Sequence, residues 1–211
     1  MANWITIARF PLLLAYVLTL YLGSAQVRLF AVPALFVFLM LDTVDGMVAR
    51  SRGQTSLLGS VLDIAADRAY ELVLWVCFAD LRVIPVAIPL IVIARTTLTD
   101  AFRSIGIGQG QPPFEQHRSA LGRFLVGSGW MRSGYGVSKV TAFCGLALGQ
   151  ALAGYPPGTA AQAASGLVLA IFGAVAWLAV AICVLRGLPV VAGGIQRNWG
   201  SGGPPGGAAA A

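Results

Sequence analysis

The sequence predicts an all-α fold, an integral membrane bundle of six transmembrane helices. Apolar residues make up 57% of the chain and charged residues only 10%, whereas soluble domains average roughly 45–50% and about 25%. The mean hydropathy is +0.80. Apolar runs of about 20 residues, the length that a helix needs to cross a bilayer, recur along most of the chain. The predicted helices lie near 4–23, 29–50, 56–80, 83–106, 137–154 and 160–187.

These six helices are predicted to form one domain, residues 1–188, followed by a tail, residues 189–211. The tail ends in GSGGPPGGAAAA, a composition that cannot bury a core and predicts disorder. The three cysteines lie inside apolar runs without metal-ligand spacing, so we expect neither disulfides nor a zinc site.

The distribution of positive charge predicts the orientation. If both termini face the cytoplasm, most Arg and Lys residues also lie on that side, and only Arg28 and Arg82 lie outside, as the positive-inside rule requires. The net charge of +6 then reflects contact with anionic lipid, and no nucleic-acid partner is expected. We expect an integral protein of a bacterial-type cytoplasmic (inner) membrane.

Acidic residues are concentrated at the junction of the second and third predicted helices, where residues 41–71 contain five of the chain's eight acids. The turn at 51–56 reverses the chain, so two polar helix faces can lie opposite each other and four carboxylates converge. Residues of the first face follow one another at i, i+3, i+4, i+7 and i+8, and those of the second at i, i+4 and i+8. The first face comprises Asp42, Asp45, Gly46, Ala49 and Arg50, and the second comprises Gly59, Asp63 and Asp67.

Four carboxylates in a low-dielectric site repel one another and require cations. Carboxylate oxygens without His or Cys partners are the ligand set of hard divalent ions, so the site is predicted to bind Mg²⁺ or Mn²⁺. Two such ions could hold a phosphate between the helices. The small residues Gly46, Ala49 and Gly59 would let a ligand approach the backbone. Helix-end acids paired with nearby arginines are the alternative, and the two matched faces argue against it.

The spacing D-x2-D-G-x2-A-R-x8-G-x3-D-x3-D, which is filled at every position over residues 42–67, resembles the signature of the CDP-alcohol phosphotransferases (CDP-alcohol phosphatidyltransferases). These are membrane enzymes of phospholipid biosynthesis with six helices. The resemblance implies metal-dependent transfer of a phosphatidyl group from CDP-diacylglycerol to an alcohol, with release of CMP. The active site would lie at the cytoplasmic ends of helices 2 and 3. Because family members are often homodimers, a homodimer is expected on resemblance alone.

The resemblance also implies roles for individual residues. Asp42, Asp45, Asp63 and Asp67 would bind the metal ions, and Asp67 would also be the general base. The CDP moiety would be bound by Gly46, Ala49, Arg50 and Gly59. The opening NWITIAR is similar to that of the phosphatidylglycerophosphate synthases, which implies that Asn3 and Thr6 face the nucleotide.

The acceptor is indicated by two further stretches, VIARTTLTDAFRSIG and GVSKVTAF, which resemble those of the phosphatidylglycerophosphate synthases. The acceptor of those enzymes is glycerol 3-phosphate. Arg95, Arg103 and Lys139 could then receive its phosphate. The match is incomplete, because those synthases commonly carry Glu where this chain has Thr96.

Other interpretations stay open. An inositol phosphate acceptor also needs a basic pocket, and related enzymes use other alcohols. The three basic residues could also be positive charges that flank membrane helices on the cytoplasmic side, without a role in binding. A small cation transporter would explain intramembrane carboxylates, but it would not explain why the glycines, Ala49 and Arg50 stand at the spacings of the signature. Glu71 lies outside the signature and is predicted to pair with Arg68 or Arg50. Gly145 and Gly149 form a G-x3-G helix-contact pattern, which intrachain packing explains as well as dimerisation.

Overall fold

The computed structural model describes residues 2–51, 57–108 and 129–200, and side chains within 8–40, 64–102, 131 and 133–195. The described residues form six helices and no strand, which confirms the predicted all-α class. The helices are α1 (Ala2–Leu22), α2 (Ala25–Ser51), α3 (Leu57–Asp80), α4 (Ala87–Gly108), α5 (Gly129–Ala153) and α6 (Ala160–Gly200).

Two of these helices are long and apolar enough to cross a membrane, over residues 133–153 and 160–195 of the described chain. The apolar stretches Ala8–Leu22 and Ala25–Met40 are shorter. Helices α3 and α4 carry charged residues within their length, such as Asp67, Glu71 and Arg95, which lowers their hydropathy. Six membrane crossings therefore stay a prediction.

The last helix extends beyond the predicted end of the folded domain. Helix α6 continues through Pro189 to Gly200, so the prediction of disorder from residue 189 is wrong for 189–200. Proline within a helix is unfavourable, but Val190 is buried, and Gly194 lies directly against Phe102 of α4. These tertiary contacts stabilise the helix, although the Gly and Pro content of the segment favours disorder. Residues 201–211 lie outside the described part of the chain.

The chain divides into two compact units, the first comprising Met1–Leu90 and Gly136–Val180 and the second Ile91–Tyr135 and Ala181–Ala211. In the first unit, α1 packs against α2 and α3. Its core is aromatic where α3 meets α5: the ring centroids of Trp75 and Phe143 lie 4.6 Å apart, and Phe78 stacks on Phe143 at 6.0 Å. Large apolar side chains interlocked in this way fix the relative position of the two helices.

Short, capped turns join consecutive helices of the first unit. Ser24 accepts a bond from the backbone N–H of Val27 at the start of α2, and Thr159 accepts one from Gln162 at the start of α6, both as helix N-caps. Gly158, just before Thr159, has a φ of 85°, a conformation that glycine adopts without strain. These turns set consecutive helices next to each other.

The G-x3-G pattern is used within the chain. A Cβ atom on Gly145 would collide with the ring of Phe172 on α6, and one on Gly149 would lie 2.5 Å from Leu169. Helices α5 and α6 therefore approach closely at these glycines, as small residues at helix interfaces allow. The pattern is accounted for by intrachain packing.

Candidate active site

The helices carry the signature residues in the predicted register. Positions 42, 45, 46, 49 and 50 lie on α2, and positions 59, 63 and 67 lie on α3. Of the proposed site residues, the structure describes the side chains of Asp67, Arg95 and Lys139. The side chains outside the described residues are those of Asn3, Thr6, Asp42, Asp45, Gly46, Ala49, Arg50, Gly59, Asp63 and Arg103.

Two carboxylates of α3 share the ammonium group of Lys139 on α5. Lys139 Nζ lies 3.3 Å from Asp67 Oδ1 and 3.2 Å from Glu71 Oε2, and both contacts are hydrogen bonds donated by the ammonium. Asp67 and Glu71 stand at i and i+4, which places them on the same face of α3 one turn apart. The structure thus brings together two residues that were expected to have different functions, Asp67 as a base and Lys139 as an acceptor ligand.

The members of this cluster differ in their access to solvent. The side chain of Glu71 is 2% exposed and that of Lys139 is 12% exposed, whereas that of Asp67 is 47% exposed. Arg68 Nη1 lies 3.9 Å from Glu71 Oε2, so a second cation also compensates the buried acid. Glu71 is thus enclosed by the protein, Lys139 keeps a small exposed area, and the carboxylate of Asp67 is open to a ligand.

A buried hydrogen bond ties α1 to α3 next to this cluster. The hydroxyl of Tyr70 donates to the backbone carbonyl of Arg9 at 2.7 Å, and Tyr70 directly precedes Glu71 in the chain. Arg9 is itself buried. Helix α3, which carries both carboxylates, is thereby fixed on the side of α1 as well as on the side of α5.

In the second unit, Arg95 of α4 lies against the backbone of α6. A Cβ atom on Gly187 would stand 2.7 Å from Arg95 Nε and 2.9 Å from its Cγ, so the absence of a side chain at this position makes room for the arginine. The carbonyl of Arg95 accepts a bond from Thr99 Oγ1 at 2.8 Å. The buried Nε of Arg95 has no hydrogen-bond partner among the described residues. The hydroxyl of Thr96, the residue that departs from the synthase pattern, is also buried and has no such partner there.

The sequence indicated the position of Glu71 but not its main partner. The i+4 series of acids on α3 continues from Asp67 to Glu71, and the predicted pairing with Arg68 is confirmed. The closer contact is with Lys139, which is 68 residues further along the chain. Only tertiary packing of α5 against α3 brings these two residues together, and a helical periodicity carries no information about such a contact.

The described residues contain no group of three or more His, Cys, Asp or Glu side chains able to hold a metal ion. Three of the four predicted ligands, Asp42, Asp45 and Asp63, lie outside the described side chains, so the predicted metal site stays a prediction. Asp67 presents exposed carboxylate oxygen, the donor type that Mg²⁺ and Mn²⁺ prefer.

The half-exposed carboxylate of Asp67 thus lies beside the largely buried ammonium of Lys139, and the described residues of the chain are almost all helical. The family model of the CDP-alcohol phosphatidyltransferases matches residues 1–185. The chain therefore belongs to the CDP-alcohol phosphatidyltransferase family, typically membrane-embedded transferases of phosphate-containing groups that act in phospholipid biosynthesis. These enzymes transfer a phosphatidyl group from a CDP-alcohol to an alcohol acceptor. No match to a curated protein was found.

Proposed function

We propose that this protein transfers the phosphatidyl group of CDP-diacylglycerol to glycerol 3-phosphate, with release of CMP. The observation that supports this most directly is the pairing of Asp67 with Lys139 at 3.3 Å. In this pair, the carboxylate that we propose as the base lies beside a cation suited to an acceptor phosphate. Family membership supports the class of reaction, and the basic residues of α4 and α5 support a phosphorylated acceptor.

In the proposed reaction, a hydroxyl of the acceptor attacks the phosphorus that carries the diacylglycerol group. A new phosphorus–oxygen bond forms to the acceptor, the bond to the bridging pyrophosphate oxygen breaks, and CMP leaves with that oxygen. Asp67 accepts the hydroxyl proton, because an alcohol of high pKa is a poor nucleophile until a carboxylate within hydrogen-bond reach removes its proton.

The proposed nucleotide and metal sites involve residues of α1, α2 and α3. Asp42, Asp45, Asp63 and Asp67 would hold Mg²⁺ or Mn²⁺, two ions in the proposal. The ions would offset charge on the pyrophosphate and on the leaving CMP. Arg50 is suited to a phosphate oxygen through its planar set of donors. The other residues proposed to bind the CDP moiety are Asn3, Thr6, Gly46, Ala49 and Gly59.

Three cations are separate candidates for the acceptor's phosphate: Lys139 in the first unit and Arg95 and Arg103 in the second. Lys139 is the candidate nearest to the proposed base. Arg95 has an unpaired Nε among the described residues, and its planar guanidinium suits phosphate geometry. Inositol phosphate would use the same charges, so it is the alternative acceptor.

A membrane location is supported by the surface of the bundle. Large apolar side chains point outward on several helices, among them Phe30, Leu167 and Val137, each at least 66% exposed. Large apolar side chains exposed on several helices are unfavourable in water, and extended surfaces of this kind mark contact with lipid or protein. We propose that it faces the bilayer of a cytoplasmic membrane, with both termini and the active site on the cytoplasmic side. A homodimer in that membrane is proposed from the family alone.

The proposal is tested by an acceptor panel. Purified protein in detergent with CDP-diacylglycerol and Mg²⁺ is expected to release CMP when glycerol 3-phosphate is added, and not when inositol 1-phosphate, inositol or serine is added. CMP release with inositol 1-phosphate alone would favour the alternative acceptor. No CMP release with any acceptor, together with divalent-cation flux in liposomes, would indicate that the protein is a transporter and not an enzyme.

A further inference from the structure

Glu71 lies outside the family signature, yet it is the most buried charged side chain among the described residues. Its Oε2 accepts a hydrogen bond from Lys139 Nζ at 3.2 Å, and its side chain is 2% exposed. Removing a carboxylate from water is unfavourable unless a cation compensates it in good geometry. The buried acid is therefore stable at this position because Lys139 and Arg68 approach it.

Lys139 is shared almost equally between two carboxylates that have different surroundings. Its distances to Glu71 and Asp67 differ by only a tenth of an ångström, 3.2 and 3.3 Å, but Glu71 lies inside the protein and Asp67 is half exposed. An ammonium group attracted from two sides is held between the two acids. Without the negative charge of Glu71, the attraction of Lys139 would be directed toward Asp67, and the carboxylate proposed as base would be more strongly neutralised.

We infer that Glu71 is a positioning residue, which holds the ammonium of Lys139 beside Asp67 and prevents it from pairing with Asp67 alone. Glu71 acts through Lys139, because its buried negative charge holds the ammonium of Lys139 at the site. The inference rests on the proposed function, because it concerns the residue proposed as base and a residue proposed to meet the acceptor's phosphate.

A double-mutant cycle tests this inference in the full-length protein. The variants are Glu71→Gln, Lys139→Gln and the double substitution, with Asp80→Asn as the matched control. Asp80 is an acid at the other end of α3 that accepts a hydrogen bond from Tyr21 at 2.8 Å. The measurements are kcat, KM for glycerol 3-phosphate, KM for CDP-diacylglycerol and Tm.

Glu71→Gln is expected to lower kcat/KM for glycerol 3-phosphate about tenfold, on the scale of coupling between contacting residues. The KM for CDP-diacylglycerol should stay unchanged. Lys139→Gln should cost at least as much, and the double variant no more than Lys139→Gln alone, because the proposed effect of Glu71 on acceptor use acts through Lys139. Asp80→Asn should retain the wild-type constants.

Additive losses in the double variant would overturn the inference, since Glu71 would then act independently of Lys139. A lower Tm with unchanged kcat/KM would also overturn it, because Glu71 would then be structural only. Glu71→Asp, which keeps the charge but shortens the side chain, covers the case in which Glu71→Gln does not fold. An intermediate loss in kcat/KM is expected for it, and wild-type kcat/KM would count against the inference. Absence of transfer by the wild-type protein would instead refute the proposed function.

Discussion

Asp67→Asn is expected to lower kcat by about 10²-fold or more while leaving a folded protein. The amide cannot accept a proton, and loss of a positioned general base typically costs about 10²–10⁴-fold in rate. The fold should tolerate the change, because the Asp67 side chain is half exposed and Lys139 keeps its bond to Glu71. The rate is measured as CMP release at saturating CDP-diacylglycerol and glycerol 3-phosphate.

The control for this variant is again Asp80→Asn on the same helix. It introduces the same acid-to-amide change, and the amide oxygen can still accept the bond from Tyr21. Turnover near the wild-type value in Asp67→Asn would refute the assignment of Asp67 as base. Equal losses in the two variants would indicate a general effect of neutralising acids on α3.

Gly187→Ala is expected to lower kcat/KM for glycerol 3-phosphate by about 10²-fold. The new methyl group would stand 2.7 Å from Arg95 Nε, closer than nonbonded atoms approach, so the arginine must move. Displacement of a substrate-positioning group by about 1 Å can cost on the order of 10²-fold. Steady-state kinetics with varied glycerol 3-phosphate measure the effect, and the KM for CDP-diacylglycerol should change little.

The chain offers two matched controls for this substitution. Gly194 lies seven residues further along α6, and a methyl group there would collide with Phe102 instead of Arg95. Gly194→Ala should therefore cost stability, about 1–3 kcal/mol on the scale of overpacking, without a specific loss for the acceptor. Gly173, which has open space around it, should accept alanine without either effect. Similar kinetic losses in Gly187→Ala and Gly194→Ala would exclude a role for Arg95 in acceptor binding.

The sequence predicted the helices well where the signal was local. Long apolar runs and polar faces at helical spacing are properties of neighbouring residues, and they indicated six helices and the position of Asp67 on α3. The end of α6 was missed, because Gly and Pro residues after 188 indicate disorder by composition. The role of Gly194 depends on α4, because Phe102 of that helix occupies the space that this glycine leaves free.

For the candidate site, too, the sequence predicted local features but not contacts between distant segments of the chain. The motif predicted which residues of α2 and α3 share a face, and the resemblance supplied their chemistry. The salt bridge between Glu71 and Lys139 joins α3 to α5 across 68 residues, so no spacing rule within a helix could reveal it. What distinguishes Glu71 from Asp67 is burial, and burial depends on the packing of the whole unit.

In the proposed reaction, the acceptor's hydroxyl attacks phosphorus and becomes part of the lipid. It is tested most directly with glycerol 3-phosphate labelled with ¹⁸O at its primary hydroxyl, followed by mass spectrometry of the lipid and of CMP. We expect the lipid product to carry the label and CMP to carry none, because CMP leaves with the bridging oxygen of the donor. Unlabelled phosphatidic acid in place of the labelled product would show that water is the acceptor, and would refute transfer to glycerol 3-phosphate.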